Sequence, residues 1–260
     1  VSFAAKPLQQ RVSLWAWFID VQWLDVVWSV LVLLGVEKLH IVPGFTEANS
    51  YDLYYMHYTH GLPGSIVLSL LLGCAVALFT PGRRGTTLAL VAIAAFSHWI
   101  LDLIVHTPDL PLYDNSAKVG FGLWRHVALS FPLELIVLGV GAWLYSRTEM
   151  LKRPAVFWGF VIFLAVMQVY ANFGPPPTSE HAMAVMALAF YAALAAIAAV
   201  VERYAVSAAP PAAGGSASGA AVVEPPPPLV PRAIHARREV LETPLSAGNT
   251  GAALTASAQI

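Results

Sequence analysis

Apolar residues along this chain fall into long blocks that short polar segments separate. Six blocks hold roughly twenty residues each, the length that a helix needs to cross ~30 Å of hydrocarbon. They predict helices over residues 14–39, 62–80, 86–106, 121–145, 154–172 and 179–204. The predicted fold class is therefore all-α, a polytopic bundle of about six transmembrane helices.

Turn-forming residues set the boundaries of the second and third predicted helices. Pro81 and Gly82, followed by Arg83 and Arg84, predict a tight basic turn between them. The residue before a proline avoids α geometry, so Pro108 predicts that the third helix ends at residue 106.

The character of the chain changes near residue 206. Beyond it the sequence consists mainly of Ala, Gly, Ser and Pro, including a run of four prolines at residues 225–228. Such a composition cannot bury enough apolar surface to fold. We therefore predict two regions, a transmembrane helical domain over residues 1–206 and a disordered cytoplasmic tail over residues 207–260.

Composition supports a membrane protein and narrows its chemistry. Hydrophobic residues make up 58% of the chain and charged residues only 11%, which is unlike a soluble domain. The formal net charge of −1 offers no basic surplus, so nucleic acid is not expected as a partner. Cys74 is the only cysteine, which excludes an intrachain disulfide and a multi-thiolate metal site.

The distribution of charge predicts how the bundle lies in its membrane. If six helices alternate in direction, one end carries most of the basic residues, namely Lys6, Arg11, Arg83, Arg84, Arg147, Lys152, Arg153 and Arg203. The loops at the other end carry mainly acidic ones, namely Glu47, Asp52, Asp109, Asp114 and Glu180. The positive-inside rule then predicts that both termini are cytoplasmic.

The third predicted helix carries the most informative polar side chains. His98, Asp102 and His106 follow one another at intervals of four residues and so share one helix face. About 12 Å of helix separates the two histidines, so a single ion can bind Asp102 with only one of them. Ionisable groups at such depth are costly unless paired, solvated or bound to metal, which makes them functional candidates.

A second group of candidates belongs to the same, non-cytoplasmic end. Asp52, His57 and His60 precede the second helix, and Glu37 and His40 end the first. Imidazoles and carboxylates from two loops and three helix ends are thus expected to meet at one membrane face. This is a ligand set typical of a divalent ion, with Zn²⁺ as the leading candidate.

Other interpretations exist for several of these residues. His98 and Asp102 could form a structural hydrogen bond between helices, and His57 and His60 could be solvated loop residues. Asp25 and Glu134 are further intramembrane candidates, as ligands or as groups that orient the imidazoles. The histidines favoured as interfacial hydrogen-bonding residues are His40, His126 and His181.

These motifs resemble a bacterial inner-membrane family of membrane-bound metal-dependent hydrolases, also called the LexA-binding membrane protein family. That family has a His-Arg-Gly-x-Thr-His-Ser element before one helix, and Ser-His-x-x-x-Asp within a later helix followed by Thr-Pro. The matching residues here are Tyr58-Thr59-His60-Gly61, then Ser97-His98 with Asp102, then Thr107-Pro108. The resemblance implies that His60, His98 and Asp102 are metal-site residues and that the protein lies in a bacterial inner membrane.

The chain also departs from the family pattern. Tyr55 stands where the family has its first histidine, His57 lies only three residues before His60, and Gly61 replaces a serine. The family's upstream Asp-x-Asp-His element has no counterpart. Glu37, His40 or Asp52 would have to substitute for it.

The leading functional hypothesis is a membrane-embedded, metal-dependent hydrolase that acts on a lipid or lipid-linked ester or phosphoester at the non-cytoplasmic face. The predicted metal ligands or their close neighbours are His60, His98, Asp102, His106, His57 and Glu37. Asp109 or Asp52 is predicted to be the general base. The alternatives are a proton- or ion-coupled transporter using Asp25, His98, Asp102 and Glu134, or a noncatalytic accessory subunit with unknown protein partners.

Overall fold

A computed structural model of the chain describes residues 1–205 and shows a bundle of α-helices. The helices are α1 (Ser2–Ala5), α2 (Leu14–Val21), α3 (Trp23–Leu33), α4 (Leu62–Phe79), α5 (Arg84–Val105), α6 (Val127–Ser146), α7 (Pro154–Phe173) and α8 (Glu180–Ala205). The predicted all-α class is confirmed. The predicted tail, residues 207–260, lies outside the described residues.

Five of these helices, α4 to α8, are long and apolar enough to cross a membrane, and α2 with α3 adds a sixth if the pair forms one span. Exposed apolar side chains cover these helices, including Leu71 on α4 and Ile93 on α5, 60% and 66% exposed. A surface of this kind suits lipid rather than water. The chain therefore has the features of a multi-pass membrane protein.

The first predicted helix, residues 14–39, is wrong in two respects. It bends by 58° between α2 and α3, because Gln22 at the junction leaves helical geometry with φ −104° and ψ 8°. It also ends at Leu33, where Gly35 turns the chain with a φ of +71°. Residues 38–41 then form a strand.

Two short antiparallel hairpins occupy connections that were predicted as loops. Strand β1 (Lys38–Ile41) pairs with β2 (Tyr51–Tyr55), with His40 opposite Asp52. Strand β3 (Leu110–Pro111) pairs with β4 (Lys118–Val119). Both hairpins lie in connections assigned by the alternating topology to the same end of the bundle.

The other predicted boundaries lie within two residues of those in the structure, except for the start of α6. α5 ends at Val105, and the next residue, His106, is extended with ψ 146°. α6 begins at Val127, six residues later than predicted, because a 3₁₀ turn (Leu123–Arg125) precedes it and Gly122 has a φ of +75°.

Small residues on α4 allow it to pack closely against α5. Ser65, Ser69, Gly73 and Ala77 recur at intervals of four on α4 and are all buried. A Cβ at Gly73 would lie only 2.7 Å from the carbonyl oxygen of Leu88 on α5. Close backbone approach of this kind drives helix association in membranes, where water-exclusion contributes little.

Three buried clusters complete the packing, and one of them contains Ala5, Val12, Trp17, Val91 and Ala94. Of the other two, one joins Phe3 to Tyr145, Phe157 and Phe160, where α1 packs against α6 and α7. The other surrounds the polar residues discussed below, and its members include Leu24, Trp28, Leu39, Met56, Trp99 and Ala184. α3, α5 and α8 thus pack together around this last cluster.

We expect Gly73→Leu to destabilise the folded protein by about 1 to 3 kcal/mol, because the larger side chain forces α4 away from α5. Gly139→Leu on α6 is the matched control, since a Cβ there meets nothing within 4 Å. Unfolding in mild detergent measures both. Equal stability of the two variants would contradict the proposed role of Gly73.

Candidate metal centre

One face of α5 supplies two of the polar groups that meet inside the bundle. His98 and Asp102 lie one turn apart, with Nε2 of the histidine 3.3 Å from Oδ2 of the aspartate. Asp102 is only 8% exposed. The sequence-based pairing of these residues therefore corresponds to a short contact in the structure.

Two other elements bring partners to this pair. Asp25 on α3 places Oδ1 3.3 Å from Nε2 of His60 and 3.4 Å from Nε2 of His98. His60, in the turn before α4, lies 3.6 Å from Oδ2 of Asp102. We call Asp25, His60, His98 and Asp102 the His/Asp centre.

The separations of three members of the His/Asp centre, Asp25, His60 and His98, suit ligands of a common ion. The ligand atoms of Asp25, His60 and His98 all lie within 4.8 Å of one another. The four measured nitrogen–oxygen separations, 3.3 to 3.6 Å, exceed ordinary hydrogen-bond lengths. Ligands bound tetrahedrally to zinc at 2.0 to 2.1 Å are about 3.3 to 3.4 Å apart. The spacing thus leaves room for a small divalent ion between these atoms.

His60 is held in a defined orientation by a hydrogen-bonded chain. The Thr59 hydroxyl donates to Oε2 of Glu37 at 2.6 Å, and it lies 2.8 Å from Nδ1 of His60. Because the hydroxyl proton is used on Glu37, the threonine oxygen accepts a bond from Nδ1–H of His60. Nε2 of a neutral His60 then carries its lone pair toward Asp25 and Asp102.

His98 is oriented in the same way by the backbone. Its Nδ1 atom lies 2.9 Å from the carbonyl oxygen of Val21, an acceptor at the end of α2. A carbonyl can only accept, so Nδ1 of His98 is the protonated nitrogen and Nε2 faces the aspartates. Fixing one ring nitrogen on an acceptor is how proteins orient metal-binding histidines.

His106 follows the pattern but stands at the edge of the centre. Its Nδ1 donates to Oδ1 of Asp109 at 2.9 Å, and its Nε2 lies 3.8 Å from Oδ1 of Asp102. Burial alone would lower the pKa of His106, but the hydrogen bond with Asp109 and the negative charge of Asp102 raise it above its ordinary value. His106 is therefore a neighbour of the His/Asp centre, in contact with only one of its members.

The Oδ2 atoms of Asp25 and Asp102 differ in the hydrogen bonds that they accept. Tyr191 on α8 donates its hydroxyl to Oδ2 of Asp25 at 2.8 Å. Oδ2 of Asp102 is buried and accepts no hydrogen bond within the described residues. A buried carboxylate oxygen flanked by two imidazole nitrogens is satisfied by a cation, whether a metal ion or the protons of imidazolium rings.

Several predicted site residues take other roles. Glu37, predicted as a ligand, accepts bonds from Tyr58 N, Thr59 N and the Thr59 hydroxyl, and so holds the turn that carries His60. Asp109, predicted as a base, bonds to His106 and to the Thr107 hydroxyl with its two oxygens. These carboxylates act on the centre through a neighbouring histidine.

Two predicted residues lie away from the contacts of the centre. His57, predicted as a ligand, packs its ring against Tyr55 and Tyr58, with centroids 4.7 and 3.9 Å away. Asp52, predicted as a base, sits in β2 opposite His40. Among the described residues, no ion pair or hydrogen bond joins either side chain to the His/Asp centre.

The turn from His57 to His60 depends on two glycines. A Cβ at Gly61 would lie 2.2 Å from the His57 carbonyl oxygen, and one at Gly64 would lie 2.0 Å from that of Tyr58. Only glycine permits the turn to fold so closely over the start of α4. This accounts for the glycine at position 61.

Sequence reasoning missed three contributors to the centre. They are Tyr191, Thr59 and the carbonyl of Val21. Each lies far along the chain from its hydrogen-bond partner: 166 residues separate Tyr191 from Asp25, 22 separate Thr59 from Glu37, and 77 separate Val21 from His98. Tyr191 carries the one available signal, a phenol within an alanine-rich helix. Buried tyrosine hydroxyls usually have a hydrogen-bond partner.

A cavity of about 360 Å³ opens beside the centre between α5 and α6. His98 and Asp102 lie on one wall, and Glu134 on α6 and Gln168 on α7 lie on the other. Most of the remaining lining is apolar, including Leu101, Ile104, Val105, Leu133, Val137 and Leu138. We call this cavity the α5–α6 cleft. An apolar cavity with a few convergent polar groups is typical of a small-molecule site.

We expect Thr59→Val to weaken zinc binding by roughly 10- to 100-fold, as loss of a ligand's orienting partner does in metal sites. Thr148→Val is the matched control, because its hydroxyl bonds to the Tyr145 carbonyl, away from the centre. Competition with a zinc chelator measures both affinities. Equal affinities in the two variants would show that the chain from Glu37 to His60 does not support a metal.

No protein-family model, no curated protein and no solved structure matches this chain.

Proposed function

We propose that this protein is a metal-dependent hydrolase embedded in a membrane, with a divalent ion, zinc in the first instance, bound at the His/Asp centre. The observation that carries the proposal is the shared orientation of the histidines. His60, His98 and His106 each have Nδ1 on an acceptor and Nε2 toward Asp25 or Asp102. That arrangement is typical of imidazoles that coordinate metal through Nε2.

Each group then has a distinct task. Asp25, His60 and His98 would hold the ion, with Asp102 beside the two histidines, and a divalent ion would activate water for attack on an ester. Tyr191 fixes the second oxygen of Asp25. His106, anchored by Asp109, is placed to hold a proton beside Asp102.

The position of the centre favours a substrate that enters from the lipid. His98 lies seven residues before the end of α5, about 10 Å inside the helix. The α5–α6 cleft reaches His98 and Asp102 at that depth. A lipid or lipid-linked ester can place its acyl chain along the apolar lining and its scissile bond at the centre.

The orientation and location that we propose follow the charge distribution. Arg83 and Arg84 lie at the start of α5 and the His/Asp centre lies toward its end. Basic loops stay on the cytoplasmic side, so the centre faces the non-cytoplasmic side. The resemblance to the inner-membrane hydrolase family further supports a bacterial inner membrane.

We expect purified protein to contain near-stoichiometric zinc or another divalent metal, and His98→Ala and Asp25→Asn to lose it. His57→Ala is the matched control, because its imidazole lies in the same region but outside the contacts of the centre. Elemental analysis of all four proteins is the measurement. A metal-free native protein, or equal loss in His57→Ala, would overturn the proposal.

One observation favours a different function, a proton- or ion-coupled transporter. Asp20 on α2 is 3% exposed, and neither of its oxygens accepts a hydrogen bond within the described residues. Such an intramembrane carboxylate is a candidate step in an ion pathway. A transporter would use it to continue a path from the His/Asp centre toward the other end of the bundle.

Proteoliposomes distinguish the two functions. For a hydrolase, we expect cleavage of a fluorogenic fatty-acyl ester that stops when a chelator removes the metal, and that Asp20→Asn leaves largely intact. For a transporter, a pH-sensitive dye in the lumen would report proton uptake that Asp20→Asn abolishes. Proton uptake without ester cleavage would therefore replace our proposal by the transporter.

A further inference from the structure

Glu134 is a carboxylate inside the bundle that the hydrolytic centre does not use. It lies seven residues from the start of α6, about 10 Å along the helix, which matches the distance of His98 from the end of α5. Both side chains line the α5–α6 cleft. A substrate in the cleft would therefore meet both.

Neutral hydrogen-bond donors hold Glu134 in place. The indole Nε1–H of Trp124 donates to Oε1 at 3.2 Å, the amide of Asn172 donates to Oε2 at 3.3 Å, and Gln168 also donates to Oε2. No lysine or arginine is paired with Glu134 among the described residues. Within the described residues, the polar partners of Glu134 are thus neutral donors, and none of them is a cation.

Glu134 can accept one more hydrogen bond than these three donors supply. A carboxylate can accept about four hydrogen bonds, and the three donors leave one acceptor position, on Oε1. The open position suits an N–H or O–H donor, and a cationic donor gains the most because its bond to the carboxylate is charge-assisted.

The lining of the cleft disfavours an anionic head group. It contains no lysine or arginine side chain. At the His/Asp centre, Asp25 and Asp102 would neutralise the two charges of a divalent ion. A phosphate or a free carboxylate would therefore meet Glu134 with no lysine or arginine side chain in the described lining to offset the repulsion.

We propose that Glu134, held by Trp124, Gln168 and Asn172, is a head-group subsite for amphiphiles that carry a primary amine. The assignment rests on the proposed hydrolase and specifies its substrate class, an ester or amide of an amino-bearing lipid in place of a phosphoester. The amine binds Glu134 while the scissile bond lies across the cleft at the His/Asp centre. Trp124 joins the two regions, since its ring packs on His106 with centroids 4.5 Å apart.

Binding of two matched amphiphiles tests the subsite. The probes are a fluorescent fatty amine and a fluorescent fatty acid of equal chain length and label, titrated into detergent-purified protein and followed by anisotropy. We expect the amine to bind at least roughly tenfold more tightly than the acid, the size of one charge-assisted hydrogen bond. Equal affinity in the native protein would overturn the proposal without any variant.

Variants locate the preference at Glu134. Glu134→Gln is expected to abolish the tenfold preference, whereas Glu149→Gln, at an exposed glutamate three residues beyond α6, should keep it. A preference that survives in Glu134→Gln would place the amine elsewhere and overturn the proposal.

Metal content separates this proposal from the hydrolase itself. Glu134→Gln should retain its metal, and metal-free His98→Ala should still prefer the amine. A native protein that lacks metal but prefers the amine would refute the hydrolase and keep the subsite. A native protein that binds metal but has no preference would do the reverse.

Discussion

Two carboxylates inside a bundle of apolar helices require a cation beside them, and in this structure their neighbours are the Nε2 atoms of His60 and His98. Removing one member of a buried, paired set of charges typically costs about 3 to 5 kcal/mol. Either protons on the imidazoles or a bound metal ion can provide the cation. The anchoring of both Nδ1 atoms on acceptors leaves Nε2 free for either. A divalent ion would satisfy both aspartates at once, including the Asp102 oxygen that accepts no hydrogen bond within the described residues.

The sequence could predict the parts of this centre that lie on one helix. His98 and Asp102 are one turn apart, so periodicity alone places them on a common face. Asp25 could be recognised as an intramembrane carboxylate. The direction in which its side chain points depends on the 58° bend between α2 and α3, and no strong helix-breaking residue in the sequence predicts that bend. The contact of Tyr191 with Asp25 can be predicted only if the packing of α8 against α3 is known. The membrane-spanning helices could also be predicted from the sequence, because the lipid bilayer imposes their length and composition.

The errors share a physical origin in the connections between helices. The hairpin of β1 and β2 was read as a loop, since strands of four and five residues carry little periodic signal. Asp52 lies in that strand opposite His40, and within the described residues no hydrogen bond or ion pair joins its side chain to the centre. His57 and His60 are close in sequence, but among the described residues only His60 pairs with the aspartates. Proximity along a turn therefore predicts shared contacts poorly.

Different helices form the two walls of the α5–α6 cleft, and this affects how substrate specificity can arise. α3, the turn before α4, α5 and α8 together fix the His/Asp centre, whereas α6 and α7 supply Glu134, Gln168 and Asn172. The cleft separates these two groups of elements, and Trp124 bridges them. Because the two walls depend on different helices, the polar groups on α6 and α7 can change without disturbing the proposed metal ligands. Under the proposed function, a fold arranged in this way would keep one chemistry while the head group that it selects varies.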